Sequence, residues 1–117
     1  MGLVKLGELP QLEISKGIKA HAVTAENMTV LHVQIEKGSL LPEHSHPHEQ
    51  VVNVIEGELE LVVEGVAHSL VPGKVMVLPS NIVHSGRAVT DCRIVDVFQP
   101  VREDFAGDSF VGYPDRD

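Results

Sequence analysis

Seven histidines occur in the chain, and three of them, His44, His46 and His48, fall within the short stretch HSHPHEQ. Imidazoles brought this close together are each harder to protonate, so at neutral pH they present lone pairs. A divalent cation is the species that accepts several such lone pairs at once. The competing account is a solvated, histidine-rich turn. A second chemical signal lies near the other end, where Asp96 interrupts the apolar run RIVDVF. A carboxylate inside a buried strand costs several kcal/mol unless it is paired or used. Strand parity puts Ile94, Asp96 and Phe98 on one face. If that face lines the interior, Asp96 is a group that can move protons close to a metal. The alternatives are an ion pair with Arg102, or an Asp facing water on a sheet edge.

The segments that must hold these groups are short and alternate in polarity. Runs at 18–23, 28–35, 50–55, 58–63, 66–70, 75–78 and 92–98 are separated by turn residues such as Glu56-Gly57, Glu64-Gly65 and Pro72-Gly73. No long stripe with helical period occurs, so the pattern predicts an all-β sandwich or barrel. PSNIVHSG reads as a loop, and a short helical turn is expected around Arg102 to Phe105. With 117 residues the chain is expected to form one domain, with a core over about 18–100, an N-terminal arm over 1–17 and an irregular tail over 101–117.

Three Phe, one Tyr and no Trp leave an aliphatic core. Seventeen acidic residues against nine basic ones give a net charge of −8, which repels a phosphate backbone and makes nucleic acid an unsuitable partner. The lone Cys92 has no partner for a disulfide or a zinc ribbon and reads as a buried, inert thiol. No stretch has the apolar length of a membrane span or of a signal peptide, so the expectation is a cytoplasmic protein.

The spacing around the histidines carries a resemblance. From Gly38 the chain runs G-x5-H-x-H-x3-Q-x6-G, through His44, His46, Gln50 and Gly57; from Gly73 it runs G-x5-P-x-N-x2-H, through Pro79, Asn81 and His84. This resembles the cupin superfamily, whose motifs are G-x5-H-x-H-x3,4-E-x6-G and G-x5-P-x-G-x2-H-x3-N. The resemblance implies a jelly-roll barrel (a double-stranded β-helix) with one divalent metal held by His44, His46, Gln50 and His84. Gln50 stands where cupins usually carry Glu, so the ligand set is neutral and the ion keeps its full charge, making it a stronger Lewis acid. Glu49 is the rival ligand, with a spacing one residue too short. Asn81 replaces a Gly and Ala88 an Asn; Asn accepts positive φ nearly as Gly does. His48 is expected at the rim, and His21, His32 and His68 in ordinary strand positions.

The segment DVFQPVRED, taken with HSHPHEQ and PSNIVHSG, narrows the resemblance to the small KdgF-type cupins. These convert ring-closed 4,5-unsaturated uronates from pectin and alginate into linear keto acids. It implies a proton-transfer role for Asp96, an apolar wall at Phe98 and a carboxylate-binding fork at Arg102. The ligand set suits Ni, Zn, Fe, Co or Mn. The substrate expected is a small anionic sugar, and family habit implies a homodimer. Two other classes compete: an Fe(II)-dependent cupin dioxygenase, and a metal- or sugar-binding module without turnover.

Overall fold

The computed structural model describes residues 2–106, so most of the expected tail, 107–117, lies outside the described residues. Ten strands make two antiparallel sheets. In chain order they are β1 (Leu12–Ser15), β2 (Ile18–Thr24), β3 (Thr29–Ile35), β4 (Leu40–His44), β5 (Glu49–Glu56), β6 (Leu59–Val63), β7 (Val66–Leu70), β8 (Val75–Leu78), β9 (His84–Ala88) and β10 (Cys92–Gln99). The larger sheet has the order β1-β2-β3-β10-β5-β8 and the smaller one β4-β9-β6-β7. Short 3-10 turns lie at Leu6–Glu8 and Glu103–Phe105.

Alternation explains the larger sheet. Thr29, Leu31, Val33 and Ile35 of β3 point inward, as do Val52 and Val54 of β5 and Cys92, Ile94 and Phe98 of β10. They meet Leu59, Leu61, Leu70 and Ala88 from the smaller sheet in one aliphatic cluster. Leu78 is fully buried there, and truncating such a leucine to Ala typically costs about 2–5 kcal/mol. Cys92 is buried in the same cluster, its Sγ 3.1 Å from the Glu58 carbonyl. Burial raises its thiol pKa, which keeps it in the unreactive form.

Seven strands fall where the sequence places them, to within one or two residues. Three do not. β1 lies in the segment read as an arm and adds Leu12 and Ile14 to the core. β4 carries Pro42 and a register irregularity between Leu41 and His44, which hides its alternation. β9, HSGRA, has no β-branched residue; its inward positions are His84, Gly86 and Ala88, with Leu59 and Leu41 packed beside Gly86.

Register is what positions the chemistry. β10 lies between β3 and β5, with Asp96 opposite Leu31 and Val52, and Phe98 opposite Thr29 and Gln50. In the other sheet His44 lies directly opposite His84. Turns hold these registers. Glu64 and Gly65 both have positive φ, as a two-residue hairpin between β6 and β7 requires. Gly57 has φ 87°, and a Cβ there would sit 2.1 Å from the Asp91 carbonyl oxygen.

Candidate metal centre and active site

Three imidazoles converge at one end of the barrel. His44 ends β4, His84 opens β9 across from it, and His46 follows in the loop before β5; one ring nitrogen from each lies within 4.8 Å of the others. Each Nδ1 is tied to a backbone carbonyl two residues away: His44 to Pro42 at 2.7 Å, His46 to His48 at 3.0 Å and His84 to Ile82 at 2.9 Å. Nδ1–H is therefore the donor in all three, which leaves the Nε2 lone pairs facing inward. The Nε2 of His84 is buried and has no hydrogen-bond partner.

Gln50 completes the convergence. It is buried, with Oε1 3.0 Å from His46 Nε2. With the His46 proton on Nδ1, both of these atoms are acceptors, and two acceptors at this distance repel unless a cation lies against them. The orphaned nitrogen and the facing lone pairs fit a divalent ion held by His44, His46, Gln50 and His84. Glu49 points the other way, exposed on the strand's outer side opposite Gln99.

Electrostatics agree with neutral ligands. Loss of solvent lowers the pKa of His44 to about 4, helped by His84, His46 and Arg102 against the opposing carbonyl of Pro42. His46 is also lowered to about 4, by desolvation first and then by the charge of Arg102. His84 shifts down for the same leading reason. All three are thus lone-pair donors at neutral pH.

Asp96 shifts the other way. Burial raises its pKa from 3.8 to about 7, opposed by a hydrogen bond from Gln50 and by the charge of Arg102. The residue as a whole keeps some accessible surface, but its Oδ1 has neither water access nor a partner. Gln50 and Asp96 line the same interior cavity, on neighbouring strands β5 and β10. A carboxyl group that titrates near neutrality can both take and give a proton.

Phe98 is buried, its ring 5.6 Å from that of His46 in an edge-on contact. Arg102 is also buried, although it follows the last strand. Its backbone N–H donates to Thr29 Oγ1 at 2.9 Å, and its guanidinium lies over the rings of Phe98 (4.9 Å) and Phe105 (4.2 Å). Among the described residues it grips the carboxylate of Asp104, with Nε to Oδ1 at 2.9 Å and Nη2 to Oδ2 at 2.7 Å. Sequence reasoning looked to Asp96 for an ion pair with Arg102 and passed over Asp104 and Phe105. The available signal was an acid two residues after the arginine, but an acid in a polar tail reads as solvated charge.

The remaining histidines stand apart. His48 is half-buried beside His46 and lends its carbonyl, with its ring outside the converging set. His21 and His32 oppose each other across β2 and β3, and His68 lies on β7. Arg87 is exposed and pairs with Glu60 at 3.5 Å.

Two facing antiparallel sheets with a three-histidine centre at one end define a cupin. The chain belongs to that family: the cupin-domain profile matches residues 31–98. It is 30% identical over 101 residues to the pectin degradation protein KdgF of Dickeya dadantii, covering 84% of this chain and 92% of that protein. Among solved structures it is similar to KdgF from Halomonas sp., with a TM-score of 0.81 at 25% identity over 89% of this chain and 97% of the other. An RmlC-like cupin from Shewanella frigidimarina gives a TM-score of 0.82 at 27% identity, covering 90% and 96%. No helix among the described residues is long and apolar enough to cross a membrane.

Proposed function

We propose that this cupin opens the ring of a small 4,5-unsaturated uronate, giving the linear keto acid. The observation that carries this reading is the buried Asp96 carboxyl, its Oδ1 unpartnered, in one cavity lining with Gln50, whose oxygen lies against His46. It sets a carboxyl group titrating near 7 beside a set of neutral ligands. Likeness to two KdgF proteins, one of them described as a pectin degradation protein, supports the choice of an unsaturated uronate.

The reaction is an isomerisation. The anomeric hydroxyl loses a proton, the C1–O5 bond breaks with its electron pair leaving on O5 as an enolate, and C4 takes a proton. Asp96 accepts the first proton and returns one to carbon, which a group with pKa near neutrality does with little driving force lost in either direction. A divalent ion on His44, His46, Gln50 and His84 would supply Lewis acidity at the sugar oxygens. Arg102 supplies the positive charge that an anion needs on a chain of net charge −8. Phe98 closes the apolar side of the site and keeps water from the enolate. The proposal includes pairing of two copies through the outer face of the larger sheet.

The test is incubation of metal-loaded protein with an unsaturated uronate, following the absorbance of its double bond. Steady loss that Asp96→Asn abolishes supports the reading. Oxygen uptake with Fe(II) in place of that loss would point to a dioxygenase, and binding without turnover to a binding module.

A further inference from the structure

A cavity of about 60 Å³ lies between the two sheets, with Asp96 and Gln50 in its lining. Most of its wall is aliphatic, built by residues such as Leu31, Val52, Leu61 and Ile94. Asp96 Oδ1 is shut off from bulk solvent and has no hydrogen-bond partner. A carboxyl oxygen left in that state is costly, because it gives up water and receives nothing in exchange.

The cavity has a cause in the sequence. Gly86 is an inward position of β9 and lines it. Nothing in the backbone calls for glycine there, since Gly86 is not among the residues with positive φ. Nor does crowding. A Cβ would lie 3.7 Å from Leu59 Cδ1, 3.8 Å from the Glu60 carbonyl oxygen and 3.9 Å from Leu41 Cβ, all ordinary contact distances. A glycine inside a strand weakens it, so this space is kept open at the expense of strand stability. The space also has an outlet: Ser39, Leu41, Gly86 and Arg87 line both the cavity and the surface groove beside β4.

We infer that the cavity is a water site: one molecule, admitted past Gly86 from the groove, is the hydrogen-bond partner of Asp96 Oδ1 and holds that carboxyl in a single orientation. A cavity lined only by aliphatic groups stays dry. This one has Asp96 Oδ1 and the Gln50 amide in its lining, with Ser39 at the outlet. A water occupies about 30 Å³ in the liquid, so the volume admits about two molecules. Water serves Oδ1 in either protonation state, donating to the bare oxygen or accepting from a protonated one. The site therefore stands on geometry and not on the titration of Asp96. Gly86 acts through the space it leaves, which makes it a positioning residue for Asp96. The effect on turnover rests on the proposed function; the water site does not.

The experiment compares parent, Gly86→Ala and Gly86→Val as metal-loaded full chains. High-resolution crystal structures, melting temperature, metal content and kinetics on an unsaturated uronate are measured for each. The parent is expected to show a water about 2.5–3.0 Å from Asp96 Oδ1. Gly86→Val, which fills the space, is expected to lose that water and to leave the carboxyl in a second orientation. Its kcat should fall about tenfold or more while KM changes by less than about threefold. Gly86→Ala should keep the metal content of the parent, melt at or above it, and lie between the two in kcat. If Gly86→Val does not fold, Leu41→Phe, directly opposite Gly86, closes the same space. A parent structure without water on Oδ1 overturns the inference. Loss of the water with the carboxyl unmoved, or with kcat unchanged in an active parent, overturns it too. So does a metal content that falls in step with kcat in Gly86→Ala, which would make Gly86 a packing residue. If the parent holds the water and Gly86→Val turns the carboxyl, but the parent does not turn over the uronate, the water site stands and the proposed reaction fails.

Discussion

The residues of the site divide by how they lose solvent. The three imidazoles become neutral lone-pair donors, while the titration of Asp96 moves up to about 7. Replacing His84 by Ala removes the buried, unpartnered Nε2 and should sharply lower metal stoichiometry by elemental analysis, whereas His48→Ala should leave it near the parent value. Full metal retention by His84→Ala would sink the four-ligand centre. For Asp96, folded and unfolded chains differ in proton uptake between pH 3.8 and about 7. In that window the folded state keeps a proton that the unfolded chain releases, so this group costs stability as pH rises. Metal-free Asp96→Asn should therefore melt increasingly above the metal-free parent from acid to neutral pH. His44 and His46, lowered from 6.5 to about 4, act with the opposite sign and cost stability as pH falls through that range in both proteins. In the metal-loaded enzyme the same Asp96→Asn change should lower kcat by roughly 10²–10⁴-fold, the usual worth of a general acid or base. Turnover at the parent rate would remove Asp96 from the reaction. Both carboxylate and histidines were legible in the sequence, one as a charge in an apolar run and the others by spacing. The grip of Asp104 on Arg102 was not: a helical turn over Arg102 to Phe105 is expected from sequence, but an acid in a polar tail reads as solvated charge and nothing local says that it folds onto the guanidinium.

At the level of elements, the site depends on loops that join the two sheets more than on any single strand. The loop after β8 is pinned to the histidine loop by a hydrogen bond from Asn81 N–H to the His46 carbonyl at 2.8 Å. Asn81 makes this bond with φ 66°, a left-handed conformation that Asn tolerates and a β-branched residue does not. Replacement by Gly should leave stability and metal affinity close to the parent. Asn81→Val should cost about 1–2 kcal/mol and weaken metal binding, since strain at this position moves His84 relative to His46. Calorimetry with a competing chelator measures the second effect, and an unchanged affinity in Asn81→Val would show that the loop does not set the centre. The Asn-for-Gly departure was readable from sequence because positive φ has a short list of residues that accept it. Strands β4 and β9, which carry His44 and His84, were harder to see: one is broken by Pro42 and the other has almost no β-forming residue. β9 is held between β4 and β6, and β4 pairs as an edge strand with β9 alone, placements that a local pattern does not encode.

At the level of the whole molecule, the larger sheet has a second face that the core does not use. Its register aligns Val23, Val30, Val97, Val51 and Val77 in one row across β2, β3, β10, β5 and β8. A neighbouring row holds His21, His32, Val95, Asn53 and Val75. Val75 and Val77, on the edge strand, are 51% and 56% exposed. Five strands about 4.8 Å apart and two rows about 7 Å apart outline a patch of roughly 400 Å² once side chains are included. Two copies packed through it would bury about 800 Å² in all, short of the roughly 1,200 Å² at which specific interfaces become standard. The expected state is therefore a weak, concentration-dependent dimer and not an obligate one. Charge adds a sign to this. Each copy carries −8, so salt should screen their repulsion and strengthen pairing, opposite to an interface held by ion pairs. Sedimentation velocity from micromolar to submillimolar protein, at low and high salt, reads both effects. Val97→Lys places a charge at the middle of the row and should give a monomer at every concentration with the metal content of the parent. A dimer that survives Val97→Lys, or one that salt dissociates, would place the contact on another surface of the barrel.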